Sequence, residues 1–280
     1  MVRASKISPE SQHIPAGTVH PGYHVIAGPA LSPLTYLEFG LLSLAHAPSP
    51  FTWETREREV AFYLLGGTCE VTVSGGAGAL AGMLGPRSNV FDGPPAALFA
   101  PAGSRVGLAA LQDGVRLAVL SAPPAADRAP SLITSAQSAT RAVGKDSWTR
   151  QVTSVIDQRV SSRLLAGETL HAAGPWSSYP PHKHDRDIPG IEVPMEEVYH
   201  YFVRPSAGFG LQMVYTAPDD PQPFEHVYRV RDGDTVVIPR GYHPVVAAGG
   251  YALAYLWAIS GARTDYGAWA TDPTHAWLLT

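Results

Sequence analysis

An internal repeat constrains this chain more than any other feature. "EVAFYLLGG" begins at Glu59 and "EVYHYFV" at Glu197, and "FAPAGSRV" in the first half answers "VIPRGYHPV" in the second. Pairing Pro101 with Pro239 sets Gly103 on Gly241 and Arg105 on His243. Glu59 to Glu197 and Arg105 to His243 are both 138 positions apart. Two matches in register imply two copies of one unit. The turns Asp92-Gly93 and Asp232-Gly233 drift by two further positions, as a loop insertion would make them. Between the copies lies "SAPPAADRAPS" (121–131), Ala/Pro-rich and without apolar periodicity. The expected division is residues 1–125 for the first unit and 126–280 for the second.

The unit is expected to be built of strands. In "EVYHYFV" the residues Glu197, Tyr199 and Tyr201 fall on one face and Val198, His200 and Phe202 on the other. "GLQMVYT" (210–216), "HVYRV" (226–230), "DTVVIP" (234–239) and "YALAYLWAI" (251–259) follow, separated by turns such as "RDGD" and "PRGYHP". The 27 glycines and 26 prolines fall between such short runs, which argues for an all-β chain of two jelly-roll barrels. Only "SAQSATRAVG" (135–144) reads as a helical turn or two.

The formal charge of −4, with no run of four Lys or Arg, gives no reason to expect a nucleic-acid or anionic-membrane partner. No apolar run approaches the ~18 residues of a membrane span, and the N-terminus lacks the apolar core of a signal peptide, so a cytoplasmic protein is expected. The single cysteine, Cys69, excludes an intrachain disulfide and reads as a small core residue.

The chemistry is concentrated in the second copy. "PPHKHDRD" (180–187) carries His182 and His184, which on a strand point to one side and can share an ion. A bare His-x-His is weak, so further ligands must lie at fold-compatible places. Glu197 opens an apolar strand where a carboxylate is otherwise a poor choice, and His243 follows the turn "IPRGYHP". The order His-x-His, then Glu, then Pro-x-Gly-x-His is the cupin pattern, here with a longer spacer, "DRDIPGIEVPME", read as a loop at the barrel mouth. Glu196 competes with Glu197; Glu197 is preferred because it precedes Val198 as Glu59 precedes Val60, and Glu196 would point outward as a surface charge. Three imidazoles and one carboxylate suit zinc first, with manganese, iron or nickel open, and argue against calcium or magnesium. The first copy has no histidine pair before Glu59 and has Arg105 in place of His243, so it is expected to hold no metal.

Together "WSSYPPHKHD", "EEVYHYF", "GFGLQMVYT", "VRDGDTVVIPRGYHPV" and "DPTHAW" resemble the 5-deoxy-glucuronate isomerases of inositol catabolism, densely over residues 164–280. The resemblance implies a bicupin with metal ligands at His182, His184, Glu197 and His243. It also implies conversion of 5-deoxy-D-glucuronate to 5-dehydro-2-deoxy-D-gluconate, an aldose–ketose isomerisation. The catalytic base is left open; Glu197, with Tyr199 and Tyr201 on its face, are the candidates. Gln212 could orient a substrate hydroxyl, and Arg186 or Arg240 could meet the carboxylate of an anionic sugar acid. Homo-oligomers are compatible with the pattern. An iron cupin dioxygenase and a non-catalytic sugar-acid-binding cupin remain alternatives, because fold alone does not choose among them.

Overall fold

Two long strands form the spines of the molecule, a computed structural model that describes residues 7–75 and 77–280. The first six residues of the expected N-terminal unit lie outside the described residues. Glu59–Gly75 pairs antiparallel with Val115–Ala122 on one side and Ala97–Ala100 on the other. Glu196–Arg204 repeats the arrangement with Ala252–Ser260 and Thr235–Ile238. Both spines are buried on both faces, over residues 59–67 in the first and 196–203 in the second, because each pleat surface there has its own neighbour. In the first spine Val60, Phe62 and Leu64 point into the first barrel. Ala61, Tyr63 and Leu65 point outward and pack with Val198, Phe202 and Val237 of the second half. Fully burying a Leu or Phe contributes about 1.5–3 kcal/mol, so this shared layer joins the halves firmly.

In the second half a seven-stranded sheet containing Glu196–Arg204 faces a four-stranded sheet of Trp176–Ser177, Gly210–Tyr215, Glu225–Val230 and Val245–Ala247. Their inner faces form one core, with Tyr199, Tyr201 and Trp257 opposite Val214, Tyr228 and Val245. The halves also exchange edges. His13–Ile14 pairs with Thr235 and Val236 of the second half, and Ser131–Ile133 pairs with Ala97–Phe99 of the first. Sheet membership therefore crosses residue 125 in both directions.

Register corrects the repeat by one residue. Val60 sits opposite Ala100, next to Pro101, and Glu197 sits opposite Ile238, next to Pro239. The counterpart of Glu197 is thus Val60, and that of Glu59 is Glu196. Glu196 is no surface charge: it is 8% exposed. Its carboxylate accepts from the backbone N–H groups of Thr35, Tyr36 and Leu37 at 2.7, 2.6 and 2.6 Å. Glu59 does the reciprocal, accepting from the Ser161 and Ser162 hydroxyls and the N–H groups of Arg163 and Leu164. The two glutamates are pleat-outward clamps, each closing a loop of the other half.

The helical turn expected at 135–144 is absent. Thr140–Val143 is an edge strand on Arg150–Thr153, preceded by a turn closed by Gln137; a free sheet edge outweighs weak local propensity. Among the described residues the one α-helix is Pro9–Gln12, and no helix is long and apolar enough to cross a membrane.

Candidate metal centre

The His-x-His stretch is held flat by pairing of His182–Lys183 with Ala270–Thr271. Lys183, between the two imidazoles, turns the other way, and its buried ammonium donates to Asp185 and Glu192. Glu192 belongs to the long spacer and also accepts from the N–H groups of Asp185 and Arg186. Asp185 in turn accepts from the Gly241 N–H at 2.8 Å. Gly241 must be glycine: φ is +99°, and a Cβ there would stand 2.6 Å from the Tyr215 carbonyl. The buried lysine thus locks the spacer to the turn that delivers His243.

His184, Glu197 and His243 offer ligand atoms that all lie within 4.8 Å of one another, and all three are buried. Glu197 Oε2 is 3.1 Å from His184 Nε2 and 3.3 Å from His243 Nε2. His182 stands outside this tight trio. Its ring centroid is 4.9 Å from that of His243 and 6.4 Å from that of His184, and Trp269 covers it at 5.1 Å.

The donor set fits a cation. His184 Nδ1 donates to the Met195 carbonyl at 2.7 Å and His243 Nδ1 to the Gly241 carbonyl at 2.9 Å. Those bonds fix the tautomers that leave both Nε2 lone pairs facing Glu197, the arrangement that orients ligating histidines. His243 Nε2 is buried and has no hydrogen-bond partner. Burial pushes His182 and His243 down to about 3, so both rings are neutral at physiological pH. At His184 burial also disfavours the charged form, but the Glu197 carboxylate outweighs it and the net direction is upward.

A family model described as KduI/IolB matches residues 15–278. The chain belongs to the KduI/IolB family. Among KduI/IolB relatives, the 5-deoxy-glucuronate isomerase of Listeria monocytogenes is 32% identical over 253 residues, 89% of this chain and 90% of the relative. That of Geobacillus kaustophilus is 32% identical over 228 residues, 81% of this chain and 80% of the relative. The crystal structure of an IolB-like protein from Salmonella typhimurium superposes with a TM-score of 0.86 at 28% identity, over 96% of this chain and 99% of the other. A mutant of Bacillus subtilis oxalate decarboxylase superposes at 0.65 with 12% identity, over 96% and 81%, a likeness of fold alone. The KduI/IolB chain is a bicupin, as its sequence pattern predicts.

The His/Glu cluster opens onto a cavity of about 360 Å³. His182, His184, Glu197 and Tyr199 line one side of it. Tyr199 is held at 2.7 Å from the Ser178 hydroxyl and stacks on Tyr255. Burial raises its pKa well above the phenolic range, so the hydroxyl stays protonated. Tyr201 is not on the cavity wall; its hydroxyl donates to Gln212 Oε1. Gln212 is fully buried and its amide donates to the carbonyls of His243 and Met213, so it braces the turn from behind and presents no free donor to a substrate. Arg186 is bidentate on Asp219, and Arg240 pairs with Asp220 and lies over Phe224; neither lines the cavity. Both correct the sequence expectation, because neighbouring aspartates on the 217–220 turn neutralise them. The cations that do line the cavity are Arg141 and Arg150, which sequence reasoning missed. Arg150 shares a strand face with the buried Val152, a signal available from "RQVTSVI".

Proposed function

We propose that this protein is a metal-dependent aldose–ketose isomerase that converts 5-deoxy-D-glucuronate to 5-dehydro-2-deoxy-D-gluconate, in cytoplasmic myo-inositol degradation. The observation that carries this reading is the buried trio His184, Glu197 and His243, with both Nε2 atoms aimed at one carboxylate oxygen beside a sugar-sized cavity. The relatives' names supply the substrate.

These three residues with His182 would hold a divalent metal, zinc before manganese, iron or nickel, which would supply Lewis-acid polarisation of the substrate carbonyl. The chain's own groups move the protons. Glu197 lines the cavity, takes the proton from C2 and delivers it to C1. The hydroxyl proton must pass from O2 to O1. Tyr199 and Ser178, paired at 2.7 Å, relay it: one hydroxyl accepts while the other donates. The product carries a C1 hydroxymethyl and a C2 ketone, with no electrons gained or lost overall. Trp257 and Trp269 wall the cavity and limit water around the reacting carbons.

Metal-loaded protein given 5-deoxy-glucuronate should form the keto product without oxygen uptake or a redox cofactor. His184→Ala should abolish turnover and metal retention while leaving the far-ultraviolet circular dichroism of the β-fold in place. Turnover by a metal-free His184→Ala protein would remove the cluster from the reaction.

A further inference from the structure

Two arginines stand on the cavity wall without acidic partners. Arg150 begins the strand Arg150–Ile156, and Arg141 lies on the adjacent edge strand Thr140–Val143. Arg150 is half-buried. One of its terminal nitrogens donates to the Trp148 carbonyl at 3.1 Å, and its Nε is buried with no hydrogen-bond partner. Arg141 lies over the ring of Tyr266, another wall residue, at 6.0 Å. Among the described residues neither forms an ion pair, whereas Arg186, Arg240 and Arg263 at the surface nearby are each matched by an aspartate. A half-buried guanidinium with an orphaned donor is unfavourable unless an anion completes it. Its planar fork suits a carboxylate held by two parallel hydrogen bonds.

Among the described residues Glu197 is the one carboxylate on the cavity wall, and its Oε2 lies against His184 and His243 rather than against either arginine, so the anion comes from outside the chain. Arg141 and Arg150 line the same cavity as His182, His184 and Glu197. The guanidinium and the His/Glu cluster therefore border one continuous space.

We propose that Arg150, assisted by Arg141, is the anion-binding end of this cavity and holds the carboxylate of a sugar-acid substrate while the carbonyl end meets His184, Glu197 and His243. The assignment rests on the isomerase reading for the identity of the sugar acid. It makes the site selective for uronates over neutral aldoses of equal length, since a neutral sugar would leave the guanidinium unpaired.

The test uses the metal-loaded full chain and the variants Arg150→Gln, Arg150→Lys and Arg141→Gln, with metal content measured for each. Turnover is followed with 5-deoxy-glucuronate. Binding is followed by calorimetry with D-gluconate, a sugar acid without an aldehyde, and with its neutral counterpart D-glucitol. Losing a charged hydrogen-bond pair predicts a KM for Arg150→Gln raised roughly 10- to 100-fold with kcat changed far less. Gluconate affinity should fall in parallel and glucitol binding should not change. Arg150→Lys should recover part of the loss, and Arg141→Gln should show a smaller effect of the same sign. A KM and a gluconate affinity within twofold of the parent, in variants that retain metal, overturn the assignment. If Arg150→Gln does not fold, the same criterion is applied to Arg150→Lys and Arg141→Gln. A parent protein that leaves 5-deoxy-glucuronate unchanged defeats the isomerase reading instead. The anion site is then decided by gluconate against glucitol, and equal binding of the two overturns it.

Discussion

His184 and His243 each use Nδ1 to hold a backbone carbonyl and thereby aim Nε2 at Glu197. The aim of His243 depends further on Gln212, whose amide donates to the His243 carbonyl at 2.8 Å while its oxygen receives the Tyr201 hydroxyl. Gln212→Leu would remove the hydrogen bonds to the buried Tyr201 hydroxyl and the His243 carbonyl, a cost of about 1–3 kcal/mol in stability. It should also loosen the turn and weaken metal binding roughly tenfold. Urea unfolding of the apo-protein and a chelator competition on the loaded protein measure the two effects; unchanged metal affinity would reduce Gln212 to a packing residue. The convergence of His184, Glu197 and His243 was legible in the sequence because His-x-His and Pro-x-Gly-x-His are local patterns with fixed geometry. Gln212 and Arg150 were not, because their roles depend on which side chains meet across different sheets.

Strand identity was equally legible, whereas strand register was legible only to within one residue. Five of the strands expected in the second half occur within a residue or two of their expected ends. The repeat reading aligned Glu59 with Glu197, but the hydrogen-bond ladder aligns Glu59 with Glu196, and a one-residue slip exchanges the faces of a strand. What matched in the two sequences was therefore the clamp, while Val60 occupies the position of Glu197. Phe62 and Leu64 accordingly occupy the places of Tyr199 and Tyr201, so the first barrel is filled with apolar side chains where the second has a site. The two neighbouring glutamates separate by substitution. Glu196→Gln places an amide against three backbone N–H donors and should lower stability by about 2 kcal/mol, with metal content unchanged. Glu197→Gln should lose the metal and activity with a smaller change in apo-protein stability. Urea midpoints and elemental analysis read both, and metal loss from Glu196→Gln would contradict the pleat assignment.

Across the whole molecule, four histidines among the described residues are held in neutral form. Burial pushes His171, His182 and His243 down to about 3 and His200 down to about 4. In the unfolded chain each titrates near 6.5. Between pH 6.5 and about 4 the unfolded state therefore binds more protons than the native one, and stability falls as pH falls through that window. His200 isolates the effect from the metal, because it projects from the opposite pleat to Glu197 into the layer between the halves. There it rests on Phe39 and Phe202 and is hydrogen-bonded to the Thr235 hydroxyl at 2.9 Å. The charged groups facing it are Asp234, which favours protonation, and Arg116, which opposes it; burial outweighs both. His200→Gln can keep the bond to Thr235 and does not titrate. Its stability at pH 7 should drop modestly, but its further loss between pH 7 and pH 5 should be smaller than the parent's by about 2 kcal/mol. Urea unfolding of both proteins across that range measures the difference, in apo and metal-loaded forms alike. Parallel curves for parent and variant would mean that His200 becomes protonated within the folded state, and that the layer joining the two barrels admits water as the pH falls.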